Sequence, residues 1–389
     1  MSLCFLRNCA QLFEGKLVSA DSRPFRFYDN RQKYLSFVTT CNEKWKVAQR
    51  AIQELDDITP TPPALRIFDA GVGDATLLSH VMCTAHQRFP TVPLYVVGKE
   101  ISLEDIRLSL HKLPDRFVEH EATVAVFTNL YYRQAPWLHV DDRDINWIDV
   151  PLHGTTSAEF GQQLRALDTK LVDGWRVKAS EKTGNPLYVK PSVLVVYRED
   201  HKFALDAVRP RPGTARADYD LILVSQPWRA RMPAQFKVDK VLEPITRALA
   251  PGGRALVTQS TGNDPGLELV RRIWPDEDPF SVTRHELIAT LRERLADEAG
   301  NFQFHGVSDS DSILSYAMHT LPDEIQSSIG TSTLFAAWNA AIYVAQIEDE
   351  RLETVLTSGE YLEHTAAVLK KYGGLWFNDE VFVVSRLEN

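Results

Sequence analysis

The chain has 389 residues, 44% of them hydrophobic, with 43 Lys and Arg against 52 Asp and Glu for a formal net charge of -9. That length is enough to bury a full core, and the composition excludes collagen-like, repeat and low-complexity proteins. The acidic balance argues against nucleic acid or an anionic membrane as a broad electrostatic partner, because such adhesion needs a dense positive field.

Residues 29 to 58 have helical spacing, with Leu35, Val38, Trp45, Ala48 and Ile52 near one face, which predicts one long helix ended by "TPTPP". "LRIFDA" then reads as a strand. Its helix is "DATLLSHVMCTAHQRF", with Leu77, Leu78, Val81, Met82, Ala85 and Phe89 turned inward. "PLYVVGKE" is a continuous apolar run, as expected of a strand covered on both faces. Ser102 and Asp105 form a capping-box arrangement at the start of the next helix, and Pro114 is expected to stop it. "ATVAVFTNL" reads as a third strand.

From about 131 to 217 the alternation lapses, and "VLVVYRED" with "FALDAV" reads as an extra hairpin. "YDLILVSQPW" resumes as a strand, a helix follows over about 235 to 249, and Pro251, Gly252 and Gly253 predict a tight turn into "RALVTQ". Thr283 and Glu286 cap a further helix, and "NFQFHGV" reads as a strand. The block 308 to 374 contains two strong helices, and "DEVFVVSR" closes the chain as an alternating strand.

Strand–helix alternation of this kind predicts an α/β fold: a doubly wound, mainly parallel sheet carrying two insertions. The expected organisation is a helical cover (1–64), the first half of the core (65–130), an insertion with the hairpin (131–217), the second half of the core (218–307), a mainly helical insertion or lid (308–374) and a final core strand (375–389) that can enter antiparallel. Cys4, Cys9, Cys41 and Cys83 form no C-x-x-C pair and no zinc-like spacing with histidine, so neither a disulfide framework nor a metal site is expected. "MSLCFLRNCAQLF" lacks the apolar core of a signal peptide, and the apolar stretch 331 to 347 is too short for a bilayer. A cytoplasmic protein without a membrane partner is expected.

Ligands of open α/β sheets sit beyond the carboxyl ends of the strands, where the winding reverses. Glycines there let a ligand approach the backbone, and the following helix offers unpaired N–H groups. The run Gly71-Val72-Gly73-Asp74-Ala75-Thr76 supplies no lysine for a Walker loop. It has threonine at the sixth place of a dinucleotide fingerprint, and Asp74 would turn a negative charge towards a pyrophosphate.

"DAGVGDA" resembles the first motif of class I S-adenosylmethionine-dependent methyltransferases, an acid followed by x-G-x-G-x-G, with Ala75 in place of the third glycine. The resemblance implies S-adenosyl-L-methionine as cofactor. It implies Asp69 near the methionine end, often through water, and Gly71 and Gly73 along the floor. Glu100, at the end of the second strand, would take both ribose hydroxyls in a charge-assisted clamp. Thr128 and Asn129, just past the third strand, stand where the family meets the adenine. In "FYDNRQKYLSF", with Tyr28 and Tyr34, Arg31 is a candidate to meet the cofactor's carboxylate from an N-terminal helix.

Ser225-Gln226-Pro227-Trp228, at the end of the fourth core strand, resembles the [DNS]-P-P-[YFW] motif of amine-modifying methyltransferases, with Gln226 standing where the first proline usually is. Transfer to nitrogen needs its N–H groups held by acceptors so that the lone pair points at the methyl. Ser225 and the carbonyl after it are of that type, and Trp228 can stack on a flat substrate or face a cation. The implied function is methyl transfer to a nitrogen of a small-molecule substrate. Alternatives are an O- or C-methyltransferase using His319, beside Asp323 and Glu324, as base; a nucleic-acid or protein N-methyltransferase; and a non-catalytic binder of the cofactor.

Overall fold

The computed structural model describes residues 31–388 apart from 142, 182–185, 307, 321 and 326–328. It opens with α1 (Arg31–Thr40) and α2 (Glu43–Glu54), then β1 (Leu65–Asp69), α3 (Thr76–Arg88), β2 (Leu94–Lys99), α4 (Leu103–Glu119) and β3 (Thr123–Thr128). The next segment carries β4 (Asn146–Leu152), α5 (Ser157–Arg165), α6 (Asp168–Gly174), β5 (Val177–Ala179), β6 (Pro186–Tyr188) and β7 (Ser192–Arg198). After it come β8 (Tyr219–Ser225), α7 (Ala234–Lys237), α8 (Glu243–Arg247), β9 (Leu249–Ser260), α9 (Pro265–Ile273), α10 (Arg284–Leu295) and β10 (Phe302–His305). The chain ends with β11 (Ile313–Ala317), α11 (Thr331–Val344), α12 (Asp349–Ser358), α13 (Glu360–Tyr372) and β12 (Trp376–Arg386).

Among the described residues ten strands form one sheet, in the order β10-β12-β9-β8-β1-β2-β3-β7-β4, with β11 also paired to β12. β1, β2, β3, β8 and β9 run parallel, and β12 enters antiparallel beside β9. The sheet is doubly wound and mainly parallel. β2, β3 and β8 are buried at every position, because helices cover both faces. Alternation sends Phe68, Val97 and Ile222 into the core on one face, and Ile67, Val96 and Leu223 into the core on the other. A third cluster joins Phe37 of α1 and Tyr316 of β11 to Trp338 of α11 and Phe377 of β12. It roofs the carboxyl ends of the strands.

Five local expectations change. The helix expected over 29 to 58 is two helices, broken where Asn42 exchanges hydrogen bonds with Ala317: its N–H donates to the Ala317 carbonyl at 3.0 Å and its side-chain oxygen accepts the Ala317 N–H at 2.8 Å. The break shifts the buried face to Val47, Ala48 and Ala51, and leaves Trp45 47% exposed. Pro114 does not stop α4, which continues to Glu119. The proline removes one backbone donor, and buried Leu113, Arg116 and Phe117 keep the following turn packed.

The hairpin expected from "VLVVYRED" and "FALDAV" does not form. β7 instead pairs with β3 and β4, and residues 201 to 209 coil so that Leu205 N–H donates to His201 and Arg209 N–H to Leu205. That turn buries Leu205 and Val208 together. Finally, Pro251, Gly252 and Gly253 lie inside β9 at a break in its register with β8. A side chain at Gly253 would begin 2.4 Å from the Tyr219 carbonyl, so only glycine fits that crossing. The second insertion holds three helices, α11 to α13, rather than two. No helix among the described residues is long and apolar enough to cross a membrane.

Candidate functional site

Winding reverses between β1 and β8, and one cavity of about 800 Å³ opens at their carboxyl ends. Gly71, Gly73, Glu100, Ser225, Gln226, Pro227 and Trp228 all line it. Elements far apart in the chain therefore converge, as the two motifs require. A Cβ built on Gly71 would stand 3.7 Å from Pro227 Cβ and 4.0 Å from the Ser225 carbonyl oxygen. The glycine turn and the β8 loop are thus neighbours across the floor, with room between them for no more than a small side chain.

The turn itself is left-handed at two places, Gly73 with φ +53° and Ala75 with φ +59°. Glycine adopts that backbone freely, whereas alanine does so at a cost of about 1 kcal/mol. From behind, Ser109 Oγ donates to the Gly73 carbonyl at 2.8 Å and Lys112 Nζ to the Asp74 carbonyl at 2.9 Å. Lys112 also pairs with the Asp74 carboxylate, so that charge is neutralised inside the fold. The Tyr34 hydroxyl lies over Gly73 and roofs this part of the floor.

Glu100 turns towards the glycines. Its Oε2 accepts the Gly73 N–H at 3.1 Å, and Oε1 accepts Ile101 N–H at 2.7 Å and Ser102 N–H at 2.9 Å. A carboxylate has about four acceptor positions, so one remains, on Oε2. The two-pronged clamp expected on the ribose is reduced to a single open acceptor.

Asp69 is fully buried beneath the floor, with Oδ1 accepting the Gly71 N–H at 3.1 Å and Oδ2 without a hydrogen-bond partner. Burial pushes its carboxyl up to about 7, with the Gly71 N–H and the Lys44 ammonium pulling the other way. The folded chain therefore holds the Asp69 proton more tightly than the unfolded chain, and this contribution to stability disappears as pH rises from about 4 through 7. Asp69→Asn removes the titration. Its Tm is expected to exceed that of the wild type by more at pH 8 than at pH 5, as melting curves at the two pH values would show. An equal margin at both would mean that Asp69 is ionised throughout.

Thr128 and Asn129 do not line the cavity. Both are fully buried and tie β3 to the first insertion. Thr128 Oγ1 donates to the Ser192 carbonyl, while Asn129 Nδ2 donates to the carbonyls of Gly174 and Lys190 and its Oδ1 accepts the Ser192 N–H. With both polar ends so engaged, neither faces a ligand. Lys99, Ile101, Tyr131 and Tyr132 border the cavity in that region instead. Lys99 Nζ lies 4.7 Å from the centre of the Tyr132 ring, and burial holds its ammonium below the usual range. A lysine inside an apolar strand run, as in "VVGKE", was a visible signal for it. Arg31 opens α1 with its side chain outside the described residues, and Tyr28 lies outside them altogether.

At the other end Ser225 Oγ is 3.5 Å from Thr258 Oγ1. Gln226 turns down: its Nε2 donates to both oxygens of Asp379, at 3.0 and 3.1 Å, and its Oε1 accepts from Ser260 Oγ at 3.0 Å. Trp228 is 5% exposed, and the Lys237 ammonium lies 5.7 Å from its ring centre, so the cation it faces is the protein's own. His319 is exposed and does not line the cavity, which separates it from any chemistry there. Glu43, Lys44, Tyr316 and Tyr343 also line the cavity. Glu43 and Lys44 open α2, Tyr316 lies in β11 and Tyr343 in α11, so the fold gathers them from distant parts of the chain.

No family model and no curated protein matches this chain. Solved structures do. Geranyl diphosphate methyltransferase, in complex with GPP and sinefungin, is similar at 11% identity and TM-score 0.32, over 87% of this chain and 78% of that one. PKMT2 from Rickettsia typhi, in complex with AdoHcy, is 11% identical with TM-score 0.29, over 87% of this chain and 52% of that one. The CcbJ methyltransferase from Streptomyces caelestis is 10% identical with TM-score 0.25, over 88% and 90%. The assignment of fold rests on the strand order itself, with the last strand inverted beside the fifth core strand. The sheet is doubly wound and mainly parallel, with β12 antiparallel beside β9. Within that fold β7 and β4 extend the sheet beyond β3, and α11 to α13 lie between β11 and β12.

Proposed function

We propose that the protein is an S-adenosylmethionine-dependent methyltransferase acting on a nitrogen of a small molecule. One observation carries the reading: the glycine turn with Glu100 and the Ser225–Trp228 loop line the same cavity. The residues fit the cofactor. Asp69 Oδ2 is a buried acceptor lacking a partner, of the kind an ammonium or an ordered water satisfies. Glu100 keeps one acceptor for a hydroxyl, and a space of about 800 Å³ accommodates a nucleoside and a small acceptor together.

When bound, S-adenosylmethionine supplies an electrophilic methyl group on a positively charged sulfur. The chain's part is alignment and exclusion of water. Tyr34 and Phe37 of α1, with Tyr343 and Val344 of α11, roof the cavity. Ser225 sits where an acceptor's N–H can be held, and Gln226, anchored by Asp379, fixes the direction of that loop. Calorimetry of the wild type with S-adenosylmethionine and S-adenosylhomocysteine tests the reading. Saturable one-site binding of both is expected, and binding of neither ends it.

A further inference from the structure

One corner of the cavity contains two buried polar groups that the preceding reading leaves without a task. Glu43, the first residue of α2, is 3% exposed, and its Oε2 has no hydrogen-bond partner. It lies 3.4 Å from Lys44 Nζ, so its charge is paired with that ammonium although the oxygen keeps room for a further donor. Tyr316 is 2% exposed, and its hydroxyl also lacks a partner. The paired hydrogen bonds between Asn42 and Ala317 hold α2 against β11 and so keep these two side chains as neighbours. A buried carboxylate oxygen whose one charged neighbour is poorly aimed keeps acceptor capacity, and a ligand that donates fills it.

The surroundings select the donor. Phe37 and Tyr343, with ring centres 5.0 Å apart, and the Tyr316–Phe377 stack at 5.4 Å give the corner aromatic walls. Asp379 lies nearby and is bound only by neutral donors, Gln226 and Ser260. Burial and the Glu43 charge push its carboxyl well above the usual range. Lys44, the nearest cation, is buried, and the charges of Glu43, Asp74 and Asp69 hold its ammonium above the usual range against that burial, so three acids share its one charge. An anion entering this corner would meet two acids. A cation gains a carboxylate and aromatic faces.

We infer that Glu43 and Tyr316 form the acceptor subsite, and that the molecule methylated is an apolar-bodied amine: it is received as an ammonium by Glu43 Oε2, gives one N–H proton to that carboxylate, and so frees the lone pair that forms the new N–C bond as the methyl group leaves sulfur. This rests on the methyltransferase reading and narrows it to a substrate class. Here Glu43 both binds the ammonium and takes its proton, and Tyr316 contributes an oxygen that either donates or accepts.

The test is calorimetry with 2-phenylethylamine and butylamine, set against 2-phenylethanol and 3-phenylpropanoate, each titrated with and without saturating S-adenosylhomocysteine. The wild type is expected to bind the amines and to bind the alcohol and carboxylate at least about tenfold more weakly. Glu43→Gln should lose tenfold or more of the amine affinity while keeping its affinity for S-adenosylhomocysteine. That second value also reports that the variant is folded. Tyr316→Phe, which keeps the ring, should weaken amine binding severalfold and leave nucleoside binding unchanged. Equal binding of amine and alcohol by the wild type, or unchanged amine affinity in Glu43→Gln, overturns the proposal. So does a loss of nucleoside affinity in Glu43→Gln as large as the loss for amine, which would place Glu43 in the cofactor site. Failure of the wild type to bind S-adenosylhomocysteine falls on the methyltransferase reading, and the amine titrations without nucleoside then decide the subsite separately.

Discussion

Replacing Glu100 by glutamine is expected to weaken S-adenosylhomocysteine binding roughly ten- to hundredfold, the loss of one charge-assisted hydrogen bond of about 1.5–3 kcal/mol. The backbone explains why so conservative a change matters. Glu100 accepts N–H groups on both oxygens, Gly73 on one and Ile101 and Ser102 on the other. Glutamine has one oxygen and one NH₂, so either orientation sets a donor against a donor. If the amide oxygen keeps Ile101 and Ser102, its NH₂ faces the Gly73 N–H and the acceptor open to a hydroxyl is gone. If it turns the other way, the start of α4 loses two bonds. Glu100→Ala, which drops all three bonds, should also melt earlier than Glu100→Gln. Calorimetry measures the first effect and a thermal melt the second. Wild-type nucleoside affinity in Glu100→Gln would remove Glu100 from the cofactor site.

The parts of the fold that were legible in the sequence are those written locally. The run "LRIFDA" followed by glycines marks β1 and its turn, "VVGKE" ends β2 on an acid at the cavity edge, and "LILVSQPW" delivers its loop to the same place. Each depends on neighbours a few residues apart. Thr128 and Asn129 also stood at a strand end, but β7 returns antiparallel beside β3, and its Ser192 takes their hydrogen bonds. Nothing at positions 128 and 129 announces a partner more than sixty residues away. Glu43 looked like an ordinary acid in a helical stretch, and its burial depends on the break at Asn42, which is set by β11. Asp379 and Glu380 directly precede the apolar run from Val381 to Val384 within β12, a signal of buried acids that the sequence does display. The partners of that pair, Gln226, Ser260, Gln259 and Arg284, are fixed only when the sheet assembles.

Gln226→Pro, the change that completes the resemblance to the proline-proline motif, is expected to destabilise the protein by about 3 kcal/mol or more. Gln226 has φ +48°. Proline holds φ near -65°, so the substitution forces the loop onto a different path. It also deletes the Gln226 N–H, which donates to the Thr258 carbonyl at 3.2 Å. The side-chain amide goes with it, leaving the buried Asp379 carboxyl with Ser260 as its remaining donor of the pair. Gln226→Gly separates these effects. Glycine keeps the left-handed backbone and the N–H, so only the amide is lost and a smaller destabilisation is expected. Melting temperatures of the two variants should fall in the order wild type, Gln226→Gly, Gln226→Pro. A proline variant as stable as the glycine one would show that the left-handed turn is dispensable. The predicted order has a consequence for chemistry. A loop that cannot accept proline at its second position presents Ser225 and Pro227 along a backbone path of its own. The nitrogen assignment then depends on what the cavity offers an amine, with Glu43 and Tyr316 at its corner, more than on three matching letters at the end of β8.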